Sequence, residues 1–157
     1  MTALIDKWTA EHRNFGKLIE ILEGELRLLH HGEGPNYELM LDVVYYIIHY
    51  PDFAHHPAED IVFSRVAERA PPVSALIEEL HQQHRRIAEA GQRLQEQLEA
   101  VLTGVVLRRA EVEHSALRYI EYLKRNMQTE EKSLFPLVRH VLDAADWAWI
   151  DARLPKL

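Results

Sequence analysis

Apolar residues recur at alternating steps of four and three along most of this chain. In the first long stretch Trp8, His12, Phe15, Ile19, Leu22, Leu26 and Leu29 share one helical face, the spacing of a single buried seam. A third stretch repeats the pattern at Val73, Ile77, Leu80, His84, Ile87, Gly91, Leu94, Leu98 and Val101. A fourth follows it at Val112, Ala116, Tyr119, Leu123, Asn126, Glu130, Ser133 and Leu137. The second carries Leu41, Val44 and Ile48, then His55, Glu59, Val62 and Val66 beyond a break at Pro51, which predicts a kink or short interruption there. Period-two alternation is absent throughout, so no strand is expected.

Glycine and proline punctuate these stretches at "HGEGPN" (31–36), "YPD" (50–52), "HHP" (55–57), "APP" (70–72) and "TG" (103–104). Long helices joined by short connections predict an up-and-down antiparallel four-helix bundle, the simplest burial of four apolar stripes. A short fifth helix is expected over 143–154, with Trp147 or Trp149 as its anchor.

Polar residues interrupt each seam: His12 in the first, His55 and Glu59 in the second, His84 in the third, Asn126 and Glu130 in the fourth. With about 1.5 Å of rise per residue and alternating helix directions, these six positions fall within about two helical turns of one another. Burying histidines and carboxylates in one core layer is costly unless their polarity is compensated, and a cation compensates both. His-x-x-x-Glu sets an imidazole and a carboxylate on one helix face a turn apart. Imidazole with carboxylate and no sulfur suits iron, manganese or zinc. His12 precedes His55 by 43 residues, His84 precedes Asn126 by 42, and "EHRNF" resembles "QHRRI". The chain therefore reads as two copies of one helical hairpin, with Glu59 and Glu130 as natural bridges and Asn126 as the departure from symmetry.

Composition narrows the chemistry. The chain has 157 residues, 47% hydrophobic and 27% charged, which fits a single domain over 1–157 with a core of its own. Without cysteine there are no disulfides, thiolate zinc sites or iron–sulfur clusters, which suits a reducing cytoplasm. A formal net charge of -7 with no basic stripe argues against nucleic acid or an anionic membrane as partner. "MTALIDKWTAEHRNF" reads as neither signal peptide nor anchor, and no later segment is apolar enough to span a bilayer.

The stretches "EHRNF", "HHPAEDIVF", "QHRRI" and "NMQTEEKSLFP" together resemble the hemerythrin-like family, or HHE cation-binding domain, across essentially the whole chain. That resemblance implies a four-helix bundle holding a non-haem di-iron centre, whose members bind dioxygen, sense oxygen, redox state or iron, or respond to nitric oxide. Carried over by position, His12, His55, Glu59, His84 and Glu130 match metal ligands. Asn126 stands where the family usually has histidine, so the half of the site made by His84 and Asn126 should hold metal less tightly. Oxygen-carrying members have a second histidine four residues on in the third helix; this chain has Ala88 there, and His81, beside the seam, is a weaker substitute. The expected function is an iron protein that binds a small ligand such as dioxygen, nitric oxide or peroxide in sensing, storage or stress protection. The alternatives are a degenerate bundle acting as a protein-interaction module, and a di-iron oxidase or peroxidase-like enzyme. No signature of a substrate pocket accompanies the ligands, which favours a binding protein over an enzyme.

Other groups read more plainly. His56, one residue from His55, should point about 100° away and be exposed or a supporting partner. Asp60 and Glu131 are expected as solvated charges or as acceptors for histidine N–H groups. His30, His31, His49, His114 and His140 lack matched partners, and Tyr45, Tyr46, Tyr119 and Tyr122 read as core aromatics with a polar tip. A ferritin-like pairing of Glu78 with His81 and Glu111 with His114 fails because an antiparallel hairpin puts those pairs at opposite ends.

Overall fold

The computed structural model describes residues 3–154, the side chain of Asp52 excepted, and is helical with no strand among the described residues. The ends of the expected 1–157 domain, residues 1, 2 and 155–157, lie outside the described residues. Helices α1 (Ala3–His30), α2 (Tyr37–His49), α3 (His56–Arg69), α4 (Ser74–Leu102), α5 (Arg109–Thr129), α6 (Phe135–Val141) and α7 (Ala144–Asp151) follow one another. A π-helical turn (Pro51–His55) joins α2 to α3 and another (Glu130–Leu134) joins α5 to α6, while a 3-10 turn (Pro71–Val73) leads into α4.

The first predicted seam, and the third from Ile77 to Leu98, are the buried faces of their helices; in α2 the buried residues are Met40, Val43, Val44 and Ile47, beside the expected Leu41 and Ile48, which are half-buried. All seven apolar-seam positions of α1, His12 included, are buried with Ile5. Ile77, Leu80, His84, Ile87, Gly91, Leu94 and Leu98 line the inner face of α4. Helices α1 and α4 end alike, at Gly32 and Gly104 with φ of 78° and 91°. At each, the glycine N–H and the next N–H bond back to carbonyls of the last helical turn, a closure that requires left-handed backbone. Asn36 accepts from Leu39 N at 3.0 Å and starts α2.

Helix α1 packs on α2 and α5, and α4 packs on the same two, so three long helices and α2 enclose one core. Gly91 lies where α2, α4 and α5 converge: a Cβ there would meet Tyr119 Cε2 at 3.0 Å and Ile48 Cγ1 at 3.1 Å. The buried apolar side chains divide into two clusters. One gathers Leu22, Val44, Leu94 and Tyr119 with their neighbours; the other gathers Trp8, Phe63, Leu80, Val138 and Ile150. The polar positions His12, His55, Glu59, His84, Asn126 and Glu130 belong to neither cluster and lie between them in every helix that contributes.

Two expectations are corrected. The fourth seam was expected to continue from Glu130 through Ser133 to Leu137, but Ser133 is exposed and Leu137 half-buried, while Leu134, Phe135 and Val138 are buried. The π-helical turn adds a residue to one turn and delays the apolar face by one position. Phe135 N–H bonds Glu130 O across that turn, and Pro136, which has no N–H, cannot restore the tighter ladder. Pro57 stands in the same relation to the first π-helical turn, whose His56 N–H bonds Pro51 O. The second correction is that Tyr45 and Tyr46 are 51% and 50% exposed; they lie on the outer face of α2, where Tyr45 stacks on His49. Tyr119 is a core aromatic as expected.

The expected fifth helix is α7. Trp147 is its buried anchor, and Trp149 lies under Arg65 and Arg153. Asp143 and Asp146 form a reciprocal capping box at its start.

Candidate metal centre

Glu59 and Glu130 are fully buried and face each other across the layer between the two apolar clusters. Each divides its oxygens between two groups of histidines. On one side, Glu59 Oε1 lies 3.0 Å from His55 Nε2 and 3.8 Å from His12 Nε2, and Glu130 Oε2 lies 3.4 Å from His12 Nε2. On the other, Glu130 Oε1 lies 3.0 Å and Glu59 Oε2 3.6 Å from His84 Nε2. The arrangement is that of two carboxylates spanning two neighbouring cation positions.

The first half is complete in nitrogen donors. His12 Nε2 and His55 Nε2 are 3.1 Å apart, close to the roughly 3 Å between two imidazole nitrogens held at about 2.1 Å and a right angle around one ion. Trp8, Phe15 and Phe135 pack on these two rings at 5.4 to 5.8 Å between centroids, which excludes water and fixes ring orientation. One candidate ligand atom each from His12, His55 and Glu59 lie within 4.8 Å of one another, and the same holds for His56, Glu59 and His84.

Every ring that aims Nε2 inward is held from behind by a carboxylate at Nδ1. Glu131 Oε1 lies 2.9 Å from His12 Nδ1, Glu11 Oε2 2.6 Å from His55 Nδ1, and Asp60 Oδ1 2.8 Å from His84 Nδ1. A carboxylate at Nδ1 holds a proton there, so that whenever the ring is neutral its Nε2 lone pair faces the centre. Of the two readings offered for Asp60 and Glu131, solvated charges or acceptors for histidine N–H groups, the structure shows the second, with Asp60 against His84 and Glu131 against His12. Glu11 was missed: it precedes His12, but its partner His55 is on another helix, and adjacency in sequence does not reveal a contact across the bundle. Tyr50 O–H donates to Glu11 Oε1 at 2.8 Å, which pushes the phenol up to about 12.

The two halves are related by the repeat in the chain. His12 with Glu131 corresponds to His84 with Asp60, and Glu59 corresponds to Glu130. Glu11 with His55 corresponds to Gln83 with Asn126. The departure at Asn126 is therefore paired with a second one at Gln83. Asn126 Nδ2 donates to Glu130 Oε1 at 2.8 Å and to Gln83 Oε1 at 3.4 Å; its amide nitrogen, not its oxygen, is turned to the bridging carboxylate. His81 also stands back from the centre, with Nε2 3.4 Å from Asp60 Oδ1.

Of the two readings offered for His56, exposed or a supporting partner, the exposed one does not hold. It is 7% exposed and stacks on His84 with ring centroids 4.2 Å apart and planes 13° from parallel. Its ring is turned from that of His55, as expected of neighbours in a helix, but the direction it takes leads to His84, so two consecutive histidines flank the centre. Burial, then the neighbouring His84, holds His56 well below the usual histidine value, so its ring is neutral.

Charge in the metal-free site is finely opposed. Burial, then repulsion from Glu130, raises Glu59 above the usual carboxylate range. Burial works against a charged His55, but the Glu59 charge and the Glu11 bond outweigh it and bring the group to about 9. His84 is likewise opposed by burial and raised to about 10 by the Asp60 and Glu130 bonds. Glu59 Oε1, Glu59 Oε2 and Glu130 Oε2 nevertheless lack a hydrogen bond, since nitrogens as near as 3.0 Å lie off a bonding direction. Buried carboxylate oxygens without donors are destabilising by about 1–3 kcal/mol or more each, and a cation between them removes that penalty. The donor set and these orphaned oxygens fit a metal site.

A surface cleft approaches the site. An open cleft of about 310 Å³ lined by Pro57, Asp60, His81, Arg85 and Ala88 reaches His56 and His84, while the hollow beside His55 holds about 80 Å³.

The family model for the hemerythrin HHE cation binding domain matches residues 3–138, a span that contains every candidate ligand and stops short of α7. Comparison with curated proteins and with solved structures gave no match.

Proposed function

The chain belongs to the hemerythrin HHE cation-binding family, and on that premise we propose that it is a non-haem iron protein whose bridging carboxylates are Glu59 and Glu130. In this reading residues 1–157 form one domain, an up-and-down four-helix bundle with α7 appended. The carrying observation is the division of each buried carboxylate between two groups of imidazoles, with three of the four oxygens lacking a hydrogen bond. His12 and His55 hold the first ion. His84 holds the second, with Asn126 and His81 the weaker candidates beside it. Iron bound there supplies binding of, or electron exchange with, a small ligand such as dioxygen, nitric oxide or peroxide.

The rest of the work falls to the chain. Glu131, Glu11 and Asp60 orient the rings, and Trp8, Phe15 and Phe135 keep water from the first half. The cleft at His84 is the route by which a small ligand reaches the second half. The role is sensing, storage or stress protection in a reducing cytoplasm; no described helix is long and apolar enough to cross a membrane.

Anaerobic addition of ferrous iron, followed by measurement of bound iron and of the visible spectrum before and after dioxygen or nitric oxide, tests the reading. Stoichiometric iron and a ligand-dependent visible band are expected. Absence of bound iron overturns it in favour of a degenerate bundle.

A further inference from the structure

We propose that His56 is a ligand of the second ion, completing with His84, Glu59 and Glu130 the half of the site that Asn126 leaves short of a histidine. The proposal rests on the iron reading above and goes beyond it. It begins from the paired substitution. Where the first half has Glu11 behind His55, the second has Gln83 against Asn126, an amide pair that offers no imidazole and turns an N–H toward Glu130. The second half would otherwise have His84 as its single nitrogen donor among the residues brought together.

His56 is placed to supply the other. One ligand atom each from His56, Glu59 and His84 lie within 4.8 Å of one another, all three residues being buried. The His56 ring covers His84 much as Phe135 covers His12, at 4.2 Å and 13° against 5.4 Å and 26°. A phenyl ring there can only pack, whereas an imidazole brings a lone pair to the edge of the site. Two nitrogens bound to one ion at about 2.1 Å lie about 3–4 Å apart. Ligation therefore requires the His56 ring to turn out of its near-parallel stack on His84, a motion about its side-chain torsions, of which the one carrying the ring is broad. His55 and His56, adjacent in the chain, fall into different groups around Glu59, His55 with His12 and His56 with His84, one for each ion. His81 is a poorer alternative, since its Nε2 faces Asp60 at 3.4 Å. The second ion is then also the one nearest the open cleft, because His56 and His84 form the cleft's inner wall.

His56→Phe keeps a ring stacked on His84 and removes the nitrogen, so it separates ligation from packing. Anaerobic titration with ferrous iron, with circular dichroism as the control for folding, is expected to give two ions per chain for the unaltered protein. His56→Phe should bind the first ion unchanged and the second at least tenfold more weakly. His56→Phe combined with Asn126→His should regain the second. In the unaltered protein, loading with zinc as a diamagnetic probe should move a His56 ring nitrogen resonance together with that of His84, a readout independent of how the variants fold. Equal second-ion affinity in His56→Phe, one ion in the unaltered protein, or a His56 resonance that stays still while His84 moves each overturns the assignment of His56. Failure of the unaltered protein to bind any iron overturns the iron reading itself.

Discussion

At the scale of single residues, the candidate centre is defined as much by what lies behind the ligands as by the ligands. His55 is the clearest case. Its Nε2 faces Glu59 and His12, and its Nδ1 is held by Glu11 at 2.6 Å. Outer partners of this kind typically contribute a factor of 10–100 in metal affinity. Glu11→Ala is therefore expected to weaken the first ion by about that factor while leaving the second near its original affinity, as measured by competition with a chromophoric chelator. Equal weakening of both ions would show that the halves are not separately supported. His12, His55, Glu59, His84 and Glu130, which the structure brings together, were legible from sequence, because a histidine or glutamate inside an apolar seam is conspicuous. His56 and Glu11 were not. Their placement depends on contacts with other helices, His56 on His84 and Glu11 on His55, which the period of a single helix cannot express.

At the scale of elements, the two π-helical turns explain the main differences between pattern and structure. Pro57 and Pro136 remove N–H groups that an α-helical ladder would need, and the widened turn before Pro136 shifts the buried face by one residue. The end of the fourth seam was misplaced for that reason, whereas α1 and α4, without internal proline, follow their seams closely. Helix α7 illustrates a different dependence. Asp146, fully buried, accepts from Arg65 Nε at 2.7 Å and Arg69 Nε at 2.8 Å, and its second oxygen takes the Asp143 N–H at 3.1 Å. Burial raises this carboxyl, but the Arg69 bond, the Asp143 N–H and Arg65 outweigh it and bring it to about 2 from 3.8. A depressed carboxyl contributes stability that is present above its unfolded value and lost as pH falls through its folded value. The metal-free protein should therefore lose α7 anchorage between about pH 4 and pH 2, read from tryptophan fluorescence during urea unfolding. Asp146→Asn should flatten that pH dependence and destabilise the protein at pH 7 by about 1–2 kcal/mol, below the figure for a wholly buried pair because both arginines reach solvent.

At the scale of the whole molecule, the polar layer divides what would otherwise be one core. The cluster around Leu22, Leu94 and Tyr119 and the cluster around Trp8, Phe63 and Val138 lie on either side of it. They hold four helices in register, so that ligands from α1, the α2–α3 junction, α4 and the α5–α6 junction reach one place. The repeat of a helical hairpin, visible in the spacing of His12 and His55 against His84 and Asn126, becomes here an approximate twofold relation between the two halves. It is broken where Gln83 and Asn126 replace the Glu11 and His55 pair, so the two ions are expected to differ in environment. The central claim is that Glu59 and Glu130 each bridge the same two cations. Iron-edge anomalous diffraction from crystals of the iron-loaded protein tests it most directly. The expected result is two peaks about 3.5–4 Å apart, each in contact with one oxygen of Glu59 and one of Glu130. A single peak, or peaks that do not touch both carboxylates, would contradict it.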